Sequence, residues 1–276
     1  MTIALKMDHV RKEFPAKTTG KEPAAPFVAV ENVTLDIQQG EFVSIVGPSG
    51  CGKSTLLDLI AGLTRPSSGQ ILLSGKEITK PGLDRGIVFQ QYALYPWLTA
   101  LENIEFGLEA KGVDKKTRRE KSKYYLELVG LSGFENHYPN ELSGGMKQRV
   151  AIARSLAYEP EILLMDEPFA ALDAQTRETL QEELLNIWRS SNATIIFITH
   201  SIDEAIYLSQ RVAIMTSRPG RIKEVIEIPQ SLRLQNADVR STAEYGQLRH
   251  RIWSQLSEEV IKAQALEKSK QLKQSA

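Results

Sequence analysis

One stretch near the N-terminus combines the residue types that a phosphate-binding loop requires. It reads Gly47-Pro48-Ser49-Gly50-Cys51-Gly52-Lys53-Ser54-Thr55 and fits the pattern G-x-x-x-x-G-K-[ST]. Glycines allow the backbone N–H groups of such a loop to approach phosphate oxygens closely. The pattern predicts that Lys53 contacts the β- and γ-phosphates of a nucleoside triphosphate and that the Ser54 hydroxyl ligates Mg²⁺. The alternative is a glycine-rich turn with a solvated lysine.

The residues on either side of this loop match the structural context that the pattern needs. The apolar run Phe42–Val46 precedes the loop and predicts a buried strand, and Leu56–Leu63 follows it with a helix-like pattern. The N-terminus of that helix is expected to point at the same anion as the loop. The flanks therefore favour a phosphate site over a simple turn.

Two adjacent carboxylates follow a second apolar strand. Ile162–Met165 is continuously apolar and leads directly into Asp166 and Glu167. In open α/β sheets, ligands bind at the carboxyl ends of the strands. Since neighbouring strand residues point to opposite faces, the two acids are expected to differ in role. We assign Asp166 to Mg²⁺, through water, and Glu167 to orienting and deprotonating the attacking water. The alternative is a pair of ordinary acids at a strand end.

Two further polar residues follow predicted strands. His200 comes after Ile195–Ile198 and can hydrogen-bond a γ-phosphate and the attacking water. Gln90 follows Ile87–Phe89 and can reach the Mg²⁺ or the water. Either residue alone would mean little, so both assignments depend on the other motifs.

A second glycine-containing turn opens the predicted helix Gly145–Tyr158. Ser143 suits the N-cap position, and Gly144 and Gly145 leave the first amides uncovered, which indicates a second phosphate-reading helix terminus. One nucleotide cannot readily use both termini of a single chain if this turn belongs to a separate helical subdomain. We therefore expect a head-to-tail pair of chains, in which each turn reaches the nucleotide on the other chain's loop.

The elements that must position these residues alternate between strand and helix. This alternation, with near-continuously apolar strands, predicts a parallel sheet covered on both faces. Two further strands are predicted at 3–10 and 27–37, joined by a surface loop from Pro15 to Pro26. Strand signals vanish between about 92 and 158, which predicts an inserted helical subdomain. A C-terminal amphipathic helix is expected to pack on the domain, a partner-binding or regulatory role being the alternative; its apolar positions are Leu248, Ile252, Leu256 and Val260.

Composition excludes several classes of protein. The 276 residues hold 34 Lys plus Arg and 34 Asp plus Glu, so no net field favours nucleic acid or an anionic membrane. With one cysteine, no internal disulfide can form. No secretory signal or bilayer-spanning apolar run is visible, so we expect a chain that is soluble by itself and cytoplasmic.

Taken together, these motifs make residues 3–230 resemble the ATP-binding subunit of an ABC transporter. Six elements of that family match in order: Walker A at Gly47–Thr55, the Q-loop at Gln90, the signature at Leu142–Met146, Walker B at Ile162–Glu167, the D-loop at Ala171–Asp173 and the switch histidine at His200. The resemblance implies an α/β P-loop NTPase (RecA-like) core with a mainly parallel sheet, an antiparallel β subdomain and an inserted helical subdomain at about 92–158. Residues 231–276 would then form a C-terminal helical extension.

The resemblance also implies further nucleotide contacts. Phe14 falls at the position of the aromatic residue that stacks on adenine, although it could instead be a buried phenylalanine at a strand end. Ser143, Gly144 and Gly145 would contact the nucleotide of the opposite chain, and Asp173 would also contribute to nucleotide binding. Cys51 could have a pKa lowered by the helix N-terminus, or it could simply be a small residue that fits.

Three details resemble one importer subgroup, which serves nitrate, sulfonates, taurine and bicarbonate. They are Met146 in place of the commoner glutamine, the Pro15–Pro26 insertion, and Ser217–Ile222 after the last core strand. The implied function is Mg²⁺-dependent ATP hydrolysis that powers uptake of a small anion through separate permease subunits. A second ATPase subunit, either a copy or a paralogue, and indirectly a substrate-binding protein would be partners, without nucleic acid. The chain would lie at the cytoplasmic face of the inner membrane.

The aromatic segment Tyr92–Leu98 is expected to contact a cytoplasmic helix of the permease. Packing inside the helical subdomain is the alternative. Two rival functions remain at this point, an exporter ATPase and a soluble ABC-type ATPase that is not involved in transport. A P-loop kinase outside the family is disfavoured, because Leu142–Met146 would have no task in it.

Overall fold

A computed structural model describes residues 2–15, 26–191, 193–233 and 239–274. In this part of the chain the strands are β1 (Ile3–Phe14), β2 (Phe27–Gln38), β3 (Phe42–Val46), β4 (Ser68–Leu73), β5 (Lys76–Glu77), β6 (Arg85–Val88), β7 (Ile162–Asp166), β8 (Thr194–Ile198), β9 (Arg211–Met215) and β10 (Ile222–Glu227). The helices are α1 (Lys53–Ala61), α2 (Ala100–Ala110), α3 (Lys115–Leu128), α4 (Gly144–Ala157), α5 (Ala174–Ser191), α6 (Ile202–Leu208), α7 (Gln230–Arg233) and α8 (Ala243–Gln274).

The chain forms two compact units. The first unit combines the residues up to Pro81 with those from Phe197 onward, and the second comprises Gly82–Ile196. The predicted helical segment 92–158 falls within the second unit, and its delimitation as a subdomain stays a prediction. The same holds for the extension 231–276.

The first unit contains an antiparallel sheet in the order β2-β1-β4-β5. Strand β1 extends to Phe14, so the predicted end at residue 10 is wrong. The strand continues because its pairing with β2 shifts register between Met7 and Val10, where His9 has a positive φ of 49°. Beyond this bulge, polar residues pair with β2, and apolar alternation no longer marks the strand. The predicted Pro15–Pro26 loop lies, between its two prolines, outside the described residues.

The first unit also contains the strand that leads into the phosphate loop. All five residues of β3 are buried, and β3 pairs with β9 in parallel, while β10 runs antiparallel to β9. Helix α8 packs on this unit as predicted. Ile252 and Leu256 join a buried cluster that includes Val46, Ile206 and Ile214, and Leu248 and Val260 lie partly buried against the cluster.

The second unit holds the helices that separate its strands. β6 and β7 pair in parallel, and the described residues 92–158 form no strand, which confirms the predicted change of pattern. Thr99 and Glu102 form a capping box at α2, and the carboxylate of Asp114 caps α3. These caps explain why the helices begin where the sequence pattern places them.

Candidate functional site

The loop Gly47–Gly52 joins buried strand β3 to helix α1 in the first unit. Gly52 occupies the N-cap position with φ 107°, and a Cβ there would lie 2.7 Å from Val30 Cγ1 and 2.8 Å from the Ala29 carbonyl oxygen. Only glycine fits this position, because the φ is left-handed and β2 passes close by. No described side chain caps α1, so its first-turn N–H groups are left available to an anion.

Lys53 supplies the positive charge of this loop. Its side chain is buried, and Nζ donates to the carbonyl oxygens of Gly47 at 2.9 Å and Pro48 at 3.2 Å. The described residues give this ammonium neutral partners and no ion pair. A buried charge normally requires a counter-charge, so the loop fits a bound phosphate. Ser54 is exposed at the helix start and Thr55 is half-buried.

Cys51 lies buried within the phosphate loop. It is 1% exposed, and this burial raises the pKa of its thiol, outweighing the opposing charge of Lys53. The suggested lowering of the Cys51 pKa is therefore wrong, because desolvation outweighs the charge of Lys53 and the backbone hydrogen bonds to the thiol. The structure favours the alternative, a small residue that fits the loop.

An aromatic pair stands at one end of the antiparallel sheet. The rings of Phe14 and Phe27 stack with centroids 6.5 Å apart, and Phe14 is 39% exposed. The alternative that Phe14 is a buried core residue is wrong. The Lys12 ammonium lies 5.2 Å from the Phe14 centroid, and the Arg218 guanidinium lies 4.7 Å from that of Phe27.

Phe27 and Arg218 are residues that the sequence reasoning did not assign to the site. Phe27 begins β2 directly opposite Phe14. The two residues are 13 positions apart in the sequence, so no local pattern predicts that they pair. Arg218 belongs to the Ser217–Ile222 motif, which the sequence analysis used only to identify a subgroup. That motif was the available signal.

In the second unit, Asp166 ends strand β7 and Glu167 follows it, both half-buried. Glu167 has a φ of 44°, which is left-handed and outside the strand. The argument that the two acids alternate along one strand is therefore wrong for Glu167. Its direction is set by this turn, at a backbone conformation of the kind that often marks functional sites.

The remaining predicted residues are divided between the units. In the first unit, His200 is exposed in the connection between β8 and α6. In the second, Gln90 is exposed two residues past the end of β6. After Gln90, Tyr92 and Ala93 both have positive φ, and their carbonyl oxygens accept hydrogen bonds from the Arg154 guanidinium. This arginine thus braces a strained turn next to Gln90.

Ser143 is the N-cap of α4, as predicted. Its Oγ accepts from the Met146 N–H at 3.3 Å, Gly144 is exposed and Gly145 is buried. A hydroxyl that accepts one hydrogen bond still has its own proton to donate. Ser143 can therefore donate to an anion without giving up its capping role.

Asp173 starts helix α5 in the same way. It accepts from the Thr176 N–H at 3.0 Å. Hydrogen bonds from Thr176 lower the pKa of the Asp173 carboxyl, which is exposed and therefore ionised near neutral pH. Asp173 thus places a negative charge at the start of α5.

The described residues offer oxygen donors for Mg²⁺ without a cluster of acidic or histidine ligands around it. Within the described ranges, no group of three or more His, Cys, Asp or Glu could hold a metal ion. Mg²⁺ is commonly bound through one or two carboxylates together with substrate phosphates. The hydroxyl of Ser54, the amide of Gln90 and the carboxylate of Asp166 are donor types that fit this mode. None of the described helices has the length and apolarity needed to cross a bilayer.

Comparison with known proteins gives a consistent result. A family model described as ABC transporter matches residues 30–170. An uncharacterized ABC transporter ATP-binding protein of Methanocaldococcus jannaschii is 51% identical, covering 95% of both chains. A nitrate import ATP-binding protein of Synechocystis sp. is 55% identical over 73% of this chain and 76% of its own.

Two further similarities extend this result. An aliphatic sulfonates import ATP-binding protein of Bacillus cereus is 54% identical over 82% of this chain and 86% of its own. Among solved structures, a dimeric ATP-binding cassette in a post-hydrolysis state, bound to ADP and Pi, superposes with a TM-score of 0.69. It is 36% identical and covers 82% of this chain and 99% of that chain. The α/β P-loop NTPase fold predicted from the sequence is thereby confirmed.

Proposed function

Since this chain belongs to the ABC transporter family of ATP-binding proteins, whose members hydrolyse ATP, we propose that it powers uptake of a small anion such as nitrate, a sulfonate, taurine or bicarbonate. Lys53 carries the proposal for the chemistry: it is a buried ammonium with neutral partners at the head of a phosphate loop. Import rather than export is supported by the relatives named for nitrate and sulfonate import, which are more than half identical to this chain.

Each residue group has a distinct task in the proposed hydrolysis. The amides of Gly47–Gly52 and the ammonium of Lys53 hold the β- and γ-phosphates, and Phe14 stacks on adenine. Ser54, Gln90 and Asp166 hold Mg²⁺, which when bound neutralises charge on the phosphates. Glu167 accepts a proton from the attacking water, and His200 hydrogen-bonds that water or the γ-phosphate.

The signature turn acts on a second chain in this proposal. The Ser143 hydroxyl donates to the γ-phosphate bound by the partner ATPase subunit, with Gly144 and Gly145 presenting amides beside it. Asp173 belongs to the same composite site. The dimeric ATP-binding cassette among the solved structures supports such a pair. Hydrolysis then requires two chains, either identical or paralogous.

The test of the chemistry is Glu167→Gln, which keeps shape and removes the proton acceptor. Hydrolysis should fall by about 100-fold or more, because general base catalysis contributes about 10²- to 10⁴-fold. ATP binding should persist, and a closed dimer should accumulate during size-exclusion chromatography in ATP. The matched control is Glu182→Gln, an exposed glutamate on α5. Normal turnover of Glu167→Gln would contradict the role given to this residue.

An aromatic surface formed by exposed Trp97 and Phe106 with half-buried Tyr95 is the proposed contact for a cytoplasmic helix of the permease. Trp97 is 69% exposed and Phe106 is 45% exposed, and the Tyr95 ring lies 5.5 Å and 4.5 Å from theirs. This exposure favours docking over packing inside the helical subdomain. The segment is held from beneath by Asn103, whose buried amide accepts from the Tyr95 N–H and donates to the Leu98 carbonyl oxygen.

Because the permease and the solute receptor are separate chains in this proposal, assembly provides the test of transport direction. We expect the chain to associate peripherally with the cytoplasmic face of the inner membrane and to copurify with permease subunits. Trp97→Ala should weaken this association while ATP binding stays unchanged. Copurification of a solute-binding protein that binds nitrate, a sulfonate or bicarbonate would support import. Association with a permease that functions without such a protein would favour an exporter.

A further inference from the structure

The segment Ser217–Arg221 lies directly against the phosphate loop within the first unit. The Gly220 N–H donates to the Ala29 carbonyl oxygen at 3.0 Å, and the Glu31 N–H donates to the Gly220 carbonyl oxygen at 2.9 Å. A Cβ on Gly220 would lie 2.1 Å from the Cys51 carbonyl oxygen, so only glycine allows this approach. The backbone of the loop and the backbone of this segment are therefore in contact.

Arg218 connects the two ends of the proposed nucleotide site. Its Nε donates to the Gly50 carbonyl oxygen at 2.5 Å, in the loop that would surround the phosphates. Its guanidinium also lies over the ring of Phe27, which stacks on Phe14 at the proposed adenine position. A planar guanidinium can hydrogen-bond through its edge and stack through its face at the same time, whereas a lysine ammonium cannot.

The residue before Arg218 is fixed by the C-terminal helix. The buried carboxylate of Glu259 in α8 accepts from the Ser217 N–H at 2.9 Å and from the Ser217 hydroxyl at 3.2 Å. It also pairs with Lys223 at 3.1 Å and Lys262 at 2.8 Å. Burial acts to raise the pKa of Glu259, but the bonds from Lys262, Ser217 and Lys223 outweigh it and hold the pKa at about 2. Glu259 is thus a constantly ionised anchor.

We propose that Arg218 is a positioning residue that sets nucleotide affinity, and that Glu259 of the C-terminal helix holds Arg218 in place through Ser217. This inference rests on the proposed function and assigns a role in nucleotide binding to the C-terminal helix. In this proposal Arg218 positions the Gly50 carbonyl and the Phe27 ring and takes no part in the attack on the γ-phosphate. Its loss should therefore weaken ground-state and transition-state binding alike, which raises KM and leaves kcat unchanged.

The first experiment measures ATP affinity by isothermal titration and hydrolysis by phosphate release. Arg218→Ala should weaken ATP binding by about 5- to 30-fold, because the loop loses the contacts that preorganise it and ATP must then order the loop on binding, at a cost of about 1–2 kcal/mol. Arg218→Lys should recover little of this loss. The matched control is Arg221→Ala in the same turn, since the Arg221 side chain pairs with Glu31 rather than with the loop. Inorganic tripolyphosphate, which lacks the base, should also bind more weakly to Arg218→Ala than to the wild type.

The second experiment tests the anchor. Glu259→Gln should raise KM for ATP, whereas Glu258→Gln should not, although the exposed Glu258 shares the partner Lys223. Because both changes act through one contact, the double variant Arg218→Ala/Glu259→Gln should bind ATP no more weakly than Arg218→Ala alone. Ser217→Ala, which removes only the hydroxyl, provides a milder change if Glu259→Gln fails to fold.

Three results separate success from failure. If the wild type binds ATP and folded Arg218→Ala binds it equally well, the role of Arg218 is overturned while the proposed function stands. If the Arg218 and Glu259 effects add, the connection through Ser217 is overturned. If the wild type itself does not bind ATP, the proposed function fails first.

Discussion

Two helices of this protein begin with glycine-containing turns suited to phosphate, but they are built differently. At α1, none of the described side chains caps the first turn, and the buried Lys53 ammonium donates to the loop carbonyls of Gly47 and Pro48. At α4, the Ser143 hydroxyl already caps the helix, and no lysine or arginine occupies the first two positions. The first terminus therefore leaves its amides and the Lys53 ammonium available to an anion, whereas the second already has a side-chain cap. This difference fits a primary nucleotide-binding site at α1 and, at α4, a terminus that contacts a nucleotide already held by another chain.

The largest effect expected from this comparison is that of Lys53→Ala. Removal of the ammonium eliminates charge-assisted hydrogen bonds to phosphate, so ATP affinity should fall by about 100-fold, corresponding to about 3 kcal/mol. Titration with ATP measures this loss, and exposed Lys76→Ala serves as the control. Unchanged affinity would mean that the α1 terminus is not the primary nucleotide site.

A smaller and different effect is expected at α4. Ser143→Ala should leave ATP affinity of the isolated chain within about twofold, yet slow hydrolysis by about tenfold, since one hydrogen bond to a charged group contributes about 1.5 kcal/mol. The lost cap should also lower the free energy of unfolding by about 1 kcal/mol. Ser143→Thr should restore both properties. A loss of ATP affinity as large as that of Lys53→Ala would erase the distinction between the two termini.

The pH dependence of the helix caps refines the comparison further. The pKa of Asp173 is lowered in the folded state by Thr176, so the stabilisation that it gives to α5 is present above the ordinary aspartate pKa and disappears as pH falls through the folded value. The difference in melting temperature between the wild type and Asp173→Ala should therefore shrink below about pH 4. The corresponding difference for Ser143→Ala should stay constant, since a hydroxyl does not titrate there. Parallel pH profiles for the two variants would contradict this assignment.

The smallest effect is expected for Cys51. Because burial raises the pKa of its thiol, alkylation by iodoacetamide should be slow at neutral pH and accelerate above the usual thiol range. Bound ATP should slow it further, and Cys51→Ser should hydrolyse ATP at the wild-type rate. Rapid alkylation at pH 7 would show that the loop opens in solution.

Much of the fold follows from local sequence patterns, as individual elements show. Helix α4 lies within one residue of the predicted Gly145–Tyr158 at both ends, because Ser143 caps its start. Helix α1 begins at Lys53 and ends at Ala61, slightly earlier than predicted at both ends, since Gly62 adopts a left-handed conformation that terminates it. Elements defined by local caps and periodicity are therefore accessible from sequence.

The site was less accessible where it depends on distant pairing. The register that places Phe27 opposite Phe14, and the contact of Arg218 with Gly50, join residues far apart in the chain. The left-handed φ of Glu167 has no local signal, because non-glycine residues rarely adopt it. Residue types and spacing thus predicted the candidate catalytic and binding residues, but not the distant contacts and backbone conformations that position them.

The buried side chain of Asn103 has a consequence for how a partner would be recognised. Its amide nitrogen lies within hydrogen-bond distance of the carbonyl oxygens of Tyr95, Leu98 and Thr99, which share its two hydrogens, and its oxygen accepts from the Tyr95 N–H. Asn103 therefore holds the loop that carries Trp97 in one conformation in the absence of a partner protein. A preorganised contact loses little conformational freedom on association. Even a short partner helix could therefore bind tightly to this loop, and a small displacement of one would displace the other.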